Sequence, residues 1–173
     1  MDLTSWSKNK EVCKDCKTFI QANLKTPFGD TPIFVYQASE DPWVSGILIS
    51  SGNFEAEKSS VMFELLKSDP STNLIDIGAN IGVYTLLAAK MGRKVLAVEA
   101  LDRNVQHICA SVAAGGLQDK VTLVHNAISN SNGVVQLGID QKNMGGTFVD
   151  VDSIHIKELK LGRAQGTTEV FIP

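Results

Sequence analysis

Blocks of apolar residues alternate with amphipathic segments through the middle of this chain. Short apolar runs at residues 74–78, 94–99 and 121–125 are separated by longer stretches, 82–91 and 102–114, with apolar residues at helical spacing. Such alternation predicts strands that alternate with helices, which is the order of a parallel sheet. A further helix is predicted over residues 54–66, immediately before the first of these strands.

The flanking segments have weaker patterns. Residues 11–24 carry apolar side chains at roughly helical spacing, and residues 32–36 and 47–50 are typical of short strands. We therefore expect residues 1–55 to form a small N-terminal cap on a domain of residues 56–173.

Towards the C-terminus, the apolar runs 134–139 and 147–151 predict a hairpin that turns around residues 143–146, and residues 169–173 begin one more strand. Asp102 is a candidate N-cap for the helix over 102–114, which Gly115 and Gly116 would end.

Composition narrows the class of protein. A length of 173 residues favours one domain, and 43% hydrophobic with 20% charged residues is ordinary for a protein with a packed core. A net charge of −3 argues against a general nucleic-acid or anionic-membrane binder. No apolar run approaches the roughly 20 residues of a membrane span, and the N-terminus lacks an apolar signal core. A cytoplasmic protein is the expectation.

The turn Gly78-Ala79-Asn80-Ile81-Gly82 joins the first predicted strand to its helix. Glycine lets the backbone turn tightly and approach a ligand, and the helix N-terminus offers free N–H groups. Asp76, just before the turn, would repel a pyrophosphate but suits a ligand with an ammonium group and hydroxyls. S-adenosylmethionine has both groups and no phosphate.

Glu99 ends the next predicted strand, which lies beside the first turn in a doubly wound sheet. An acidic residue at that position binds ribose hydroxyls. A dinucleotide fold of the nicotinamide-dependent type is the competing interpretation, although a pyrophosphate site would prefer a neutral residue in place of Asp76. A turn without any ligand is the other alternative.

The run of residues 75–85, followed by Val98 and Glu99, resembles the opening of an FkbM-type S-adenosylmethionine-dependent methyltransferase. Residues 44–55 resemble that family's lead-in, in which a Gly and a Glu precede the first helix. The resemblance implies an α/β fold with a Rossmann-like doubly wound methyltransferase sheet, and methyl transfer to a hydroxyl on a small molecule or sugar.

The same resemblance implies which residues surround the cofactor. Ala100 stands where such enzymes often carry Pro. The methionine part would contact Asp76, Gly78, Asn80 and Gly82, the ribose would contact Glu99, and the adenine would contact Asn126 and Ala127.

FkbM-type enzymes continue into a strand with an Asp-x-Glu-Gly motif that this sequence lacks. We therefore expect the chain to be a fragment that holds only the N-terminal half of the sheet. Residues 74–77 would then lie near an open edge with exposed apolar neighbours, through which the chain would self-associate. A non-catalytic, methyltransferase-like interaction module is accordingly the alternative to an enzyme.

No catalytic base and no metal site are predicted. The three histidines are scattered: His107 is expected on an exposed helical face, His125 near the crevice as a structural residue, and His155 in a late loop or strand. Tyr84 would either line the methyl-donor pocket or serve in packing.

The cysteines suggest little chemistry. Cys13 and Cys16 form a Cys-x-x-Cys that is typical of redox or zinc sites, but no second pair of ligands recurs. Cys109 is expected to be a small buried apolar residue.

Overall fold

The computed structural model describes residues 19–128, 133–140, 143–150 and 170–172, and these form a mixed α/β structure. The elements in chain order are β1 Ile20–Leu24, β2 Thr31–Val35, α1 Ser45–Ser51, α2 Ala56–Ser68, β3 Leu74–Ile77, α3 Val83–Lys90, β4 Val95–Glu99, α4 Asp102–Ala114, β5 Val121–His125, β6 Gly133–Asp140, β7 Asn143–Asp150 and β8 Val170–Ile172.

A three-stranded parallel sheet lies at the centre of the fold, in the order β3-β4-β5. Its register pairs Leu74 with Val95 and Val95 with Val121. Because α3 and α4 are successive crossovers in the same direction, their right-handedness places both helices on one face of the sheet. The alternation predicted from the hydrophobic pattern is confirmed, with α2 to β5 beginning and ending within two residues of the prediction.

The sequence of α3 reflects its position between two layers. Six of its eight residues are buried, and only Tyr84 and Lys90 are half-exposed. The helix contacts β3 and β4 on one side and β2 and α2 on the other. A helix covered from several sides needs apolar residues all round rather than along one stripe.

The antiparallel hairpin β1–β2 covers the outer side of these helices, with β2 against α4 and α3. Leu24 and Ile33 of the hairpin belong to the same hydrophobic cluster as Leu86 of α3 and Ile108 of α4. Residues before and after position 55 therefore share one core, with the hairpin, the helices and the parallel sheet as successive layers.

One predicted strand is a helix. Residues 47–50 lie in α1, because the Asp41 carboxylate accepts hydrogen bonds from the N–H groups of Val44 and Ser45 and from the Ser45 hydroxyl where the helix begins. Gly52, in the left-handed conformation, ends α1.

One predicted helix is partly a strand. Residues 20–24 form β1, because every one of them pairs with β2 and this pairing outweighs their helical spacing. Residues 11–18 of the predicted helix lie outside the described residues.

A second sheet follows, in which β6 pairs antiparallel with both β7 and β8. The predicted hairpin and the predicted late strand are confirmed. The turn is misplaced in the prediction, because β6 runs to Asp140 and β7 starts at Asn143, so residues 143–146 belong to β7.

The predicted N-cap of α4 is wrong by one residue, although the helix itself begins at residue 102 as predicted. Leu101, with an extended backbone, is the N-cap of α4, and Asp102 lies in the first turn, where its carboxylate accepts a hydrogen bond from Gln106. In the part of the chain that the structure describes, no helix is both long enough and apolar enough to cross a bilayer.

Candidate functional site

The carboxyl ends of β3 and β4 bring the two predicted acidic residues to one edge of the parallel sheet. Asp76 pairs with Ala97, and Glu99 lies two residues further along β4. Since side chains alternate between the faces of a strand, Asp76 and Glu99 project from the same face. That face carries the helices: the Asp76 carboxylate is bonded to Thr85 of α3, and the Glu99 carboxylate is bonded to Asn104 of α4.

The turn between β3 and α3 is anchored to β4. The N–H groups of Gly78 and Ala79 both donate to the Val98 carbonyl, at 2.9 and 3.0 Å. Gly78, Asn80 and Gly82 have φ angles of +76°, +53° and +90°. The glycines supply this left-handed backbone without strain, and Asn is among the few other residues that tolerate it.

The two glycines serve different purposes. A Cβ on Gly78 would meet no atom within 4 Å, so its exposed backbone borders open space that a ligand can occupy. A Cβ on Gly82 would lie 2.9 Å from Cγ1 of Ile108. Gly82 therefore permits close packing of α3 against α4 and is itself buried.

Glu99 is held by three donors of the protein. Its Oε2 accepts from the Asn80 N–H at 2.7 Å, and its Oε1 accepts from the Leu101 N–H at 2.9 Å and from Nδ2 of Asn104 at 3.3 Å. The residue is 6% exposed. Burial raises the pKa of Glu99, and the hydrogen bonds from Leu101, Asn80 and Asn104 act in the opposite direction. The carboxylate thus ties the glycine turn to the start of α4.

Asp76 is less completely satisfied. Its Oδ2 accepts from the Thr85 hydroxyl at 2.6 Å, and it takes part in none of the ion pairs found among the described residues. Burial raises the pKa of Asp76, which the bond from Thr85 partly opposes. A half-buried carboxylate without a cation is well suited to a ligand that carries positive charge.

Asn80 contributes its backbone to the turn. Its N–H is bound to Glu99, and its side-chain Oδ1 is buried and has no hydrogen-bond partner among the described residues. Such an unsatisfied buried atom costs stability. The residues present fit S-adenosylmethionine at the accessible part of the turn, where they offer open backbone at Gly78 and a carboxylate at Asp76.

Asn126 and Ala127 lie beside Glu99, immediately after β5. The Asn126 N–H donates to the Glu99 carbonyl at 2.9 Å, and the Asn126 side chain accepts from the Ala127 N–H. Both residues are buried, and Ala127 packs with Ala100 and Leu137. They bring the end of β5 to the same edge of the sheet as the turn.

Sequence reasoning missed the part that Glu55 takes in this region. The Tyr84 hydroxyl donates to Oε2 of Glu55 at 2.5 Å, and Glu55 precedes α2 with a φ of +44°. Burial and the bond to Glu55 raise the pKa of Tyr84 above its usual range, with a smaller effect from the charge of Asp76. The backbone conformation sets Glu55 apart. Glu55 and Asn80 are the only non-glycine residues with positive φ among the described residues, and both lie near the turn.

The two histidines among the described residues both make contacts within the protein. His107, predicted to be exposed, is fully buried, because its ring stacks on Phe19 and packs against Tyr36 beneath the N-terminal hairpin. His125 is bonded through Nε2 to the Ala100 carbonyl, which is a structural contact. His155 lies outside the described residues.

Metal ligands and cysteines are the remaining candidate groups. Within the described ranges no three His, Cys, Asp or Glu side chains are grouped so that they could hold a metal ion. Cys109, predicted to be a buried apolar residue, is half-buried and disulfide-bonded. Cys13 and Cys16 lie outside the described residues.

No protein-family model matches this chain, and no solved structure matches it either. The likeness of residues 75–85 to the FkbM-type enzymes therefore stays a prediction.

Proposed function

We propose that this chain is the cofactor-binding part of an S-adenosylmethionine-dependent methyltransferase of the FkbM type, which methylates a hydroxyl on a small molecule or sugar. One observation carries the proposal: Asp76 and Glu99 project from the same sheet face at the ends of adjacent parallel strands, with the glycine turn bound between them.

The charge of the site favours this ligand over a dinucleotide. The charged side chains beside the turn, Asp76 and Glu99, are both carboxylates, which accept hydrogen bonds. A ligand with an ammonium, a sulfonium and hydroxyls supplies donors and positive charge to them. A pyrophosphate would bring negative charge against Asp76, so the nicotinamide alternative is disfavoured.

The Glu99 carboxylate is already held by the N–H groups of Asn80 and Leu101 and by the Asn104 amide, and the Ala100 N–H also lowers its pKa. A ribose hydroxyl would therefore have to share or displace one of these donors at Glu99.

Bound S-adenosylmethionine supplies an electrophilic methyl group on its sulfonium, which an acceptor hydroxyl attacks in line. Asp76 and Asn80 would hold the methionine end of the cofactor, and Glu99 would hold its ribose. The methyl group would then have one orientation. We assign no general base to any of the described residues.

Isothermal titration with S-adenosylmethionine and with NAD tests the proposal. Glu99→Ala is expected to weaken S-adenosylmethionine binding by roughly 1.5–3 kcal/mol, the range for a charged hydrogen bond. Gly78→Val is expected to weaken it further, because a branched side chain would enter the open space beside the turn. Glu57→Gln, on an exposed acid of α2, is the matched control and should bind like the wild type. Equal affinity in all four proteins, or tighter binding of NAD, would refute the assignment.

A non-catalytic interaction module is the second candidate, and the exposed face of the parallel sheet favours it. Ile75 and Ile77 are each 64% exposed, on a face that helices normally cover in a parallel sheet. Transfer from radiolabelled S-adenosylmethionine separates the candidates: binding without turnover supports the module, and turnover supports the enzyme.

We further propose that the methyl acceptor is a small molecule or sugar and that the chain self-associates through the β3 edge. We propose no nucleic-acid partner and no membrane partner. A cytoplasmic location is a further proposal. Fractionation of the source cells, with detection of the protein in each fraction, tests it.

A further inference from the structure

A second concavity lies away from the acidic residues, where the end of β1 meets the first half of α2 and the middle of α3. Its volume is about 160 Å³, and neither Asp76 nor Glu99 lines it. Its lining comes from β1, α2, α3 and two loops, and it includes Leu24, Lys25, Ala56, Ser60, Phe63 and Leu87.

The floor of this cavity is apolar and built from the core. Leu24, Phe63 and Leu87 are 1%, 6% and 3% exposed. The four lining residues of α2, at positions 56, 59, 60 and 63, follow the helical repeat and form one face. The buried Ser59 hydroxyl donates to the Phe54 carbonyl, so it does not need a partner from the cavity.

The rim carries a single charged residue, Lys25. Its N–H donates to the Gly52 carbonyl at 2.8 Å, and its stem lies over Gly52, where a Cβ would come within 3.2 Å of the Lys25 Cγ. Lys25 takes part in none of the ion pairs among the described residues. The missing side chain at Gly52 thus makes room for a positioned cation beside an apolar floor.

We propose that this cavity binds a small organic anion with a single ring, whose ring lies on Leu24, Phe63 and Leu87 and whose carboxylate pairs with Lys25. The size fits, because an apolar cavity of about 150 Å³ takes one benzene ring. The charge fits, because Lys25 is the only ionised lining group. The site does not depend on S-adenosylmethionine binding at Asp76.

Titration of ¹⁵N-labelled protein by NMR tests this site with three probes: benzoate, benzyl alcohol (same size without charge) and acetate (same charge without ring). Benzoate is expected to shift the amide signals of residues around the cavity and to bind at least about tenfold more tightly than either comparator. Lys25→Met should remove the preference for benzoate over benzyl alcohol while benzyl alcohol still binds, because the apolar floor is unchanged.

Two variants on neighbouring positions of α2 test the place of binding. Ser60→Trp puts an indole from an exposed lining position into the cavity and should abolish binding of benzoate and benzyl alcohol. Val61→Trp, at a 61% exposed position outside the lining, should bind like the wild type. Ala56→Leu fills the cavity from a second exposed position. The place of binding can therefore still be tested if Ser60→Trp fails to fold.

The proposal is overturned if benzoate binds no more tightly than acetate, or if the folded filled variants still bind it. Neither result bears on the proposed function, because S-adenosylmethionine binding is measured separately with Asp76 and Glu99 variants.

Discussion

The two faces of the parallel sheet differ sharply in how the protein covers them. On one face, Val95 and Ala97 are 2% and 0% exposed beneath α3 and α4. On the other face, Ile75 and Ile77 of β3 are each 64% exposed, and Leu96 of β4 is 36% exposed. Parallel strands are normally apolar on both sides because helices cover both faces. The strands of this chain thus have the apolar composition of a sheet that is covered on both faces. The described residues cover only one of the two faces.

The candidate chemistry lies entirely on the covered face. Asp76 is bonded to α3, and Glu99 is bonded to the start of α4, so the helices that bury this face also orient its acids. The exposed face carries apolar side chains without comparable polar contacts. The covered face is therefore expected to account for stability and ligand binding, and the exposed face for association.

Truncation of a core residue should give the largest contrast between the faces. Leu86→Ala, at a fully buried position of α3, is expected to lower the free energy of unfolding by about 2–5 kcal/mol. Ile75→Ala on the exposed face should change it by less than about 0.5 kcal/mol. Urea denaturation of the monomer measures both. A similar loss in the two variants would mean that the Ile75 face is covered in solution.

Gly82→Ala is expected to have the next largest effect. The substitution puts a Cβ 2.9 Å from Ile108 in a left-handed backbone, which combines strain with overpacking on the covered face, at about 2–4 kcal/mol. Gly92→Ala is the matched control, because Gly92 has a similar φ of +93° but open space around it. It should cost only the backbone strain, about 1–2 kcal/mol. Equal losses would show that Ile108 moves aside freely.

The order of strands and helices from α2 to β5 was predictable because the signal is local. Each strand is a short apolar run between turn residues, and the positive φ of Gly78 and Gly82 needs glycine whatever surrounds it. The approach of Asp76 to Glu99 also follows from topology, because the ends of parallel strands meet at one edge of a sheet.

The predictions that were wrong concern features that depend on contacts between residues distant in sequence or on particular side chains. Ile20–Leu24 is a strand only because β2 pairs with it, and α1 forms where the Asp41 carboxylate caps it. His107 is buried by Phe19 and Tyr36, which its own helical pattern cannot reveal. The bond between Tyr84 and Glu55 joins residues far apart in the chain, and hydrophobic periodicity gives no sign of it.

Asp76→Asn should show a smaller effect with a distinctive pH dependence. Burial raises the pKa of Asp76 above its ordinary value of 3.8, so the folded protein binds this proton more tightly than the unfolded chain does. Stability from this group is therefore present below pH 3.8 and is lost as the pH rises through the raised pKa. Asn keeps an acceptor for Thr85 and has no charge to bury.

The variant is thus expected to be more stable than the wild type at pH 7, and the difference should vanish near pH 3.5. Thermal unfolding across this pH range measures it, while titration should show loss of S-adenosylmethionine binding. A variant that is less stable at pH 7 would indicate that the Asp76 carboxylate has a stabilising partner.

The smallest effect on folding, and the most direct test of the exposed face, is expected from replacing Ile75 and Ile77 together by Lys. Both side chains are mostly in water, so the free energy of unfolding of the monomer should change by less than about 0.5 kcal/mol. Association should change much more, because β3 is the edge strand of the sheet and lysines at an edge oppose pairing between chains. Sedimentation velocity over a range of concentrations should show that the wild type self-associates and the double variant stays monomeric. Ile49→Lys, at a 45% exposed position of α1, is the matched control and should associate like the wild type. If the double variant associates as strongly as the wild type, the contact lies elsewhere and the exposed face is not an interface between copies of this chain.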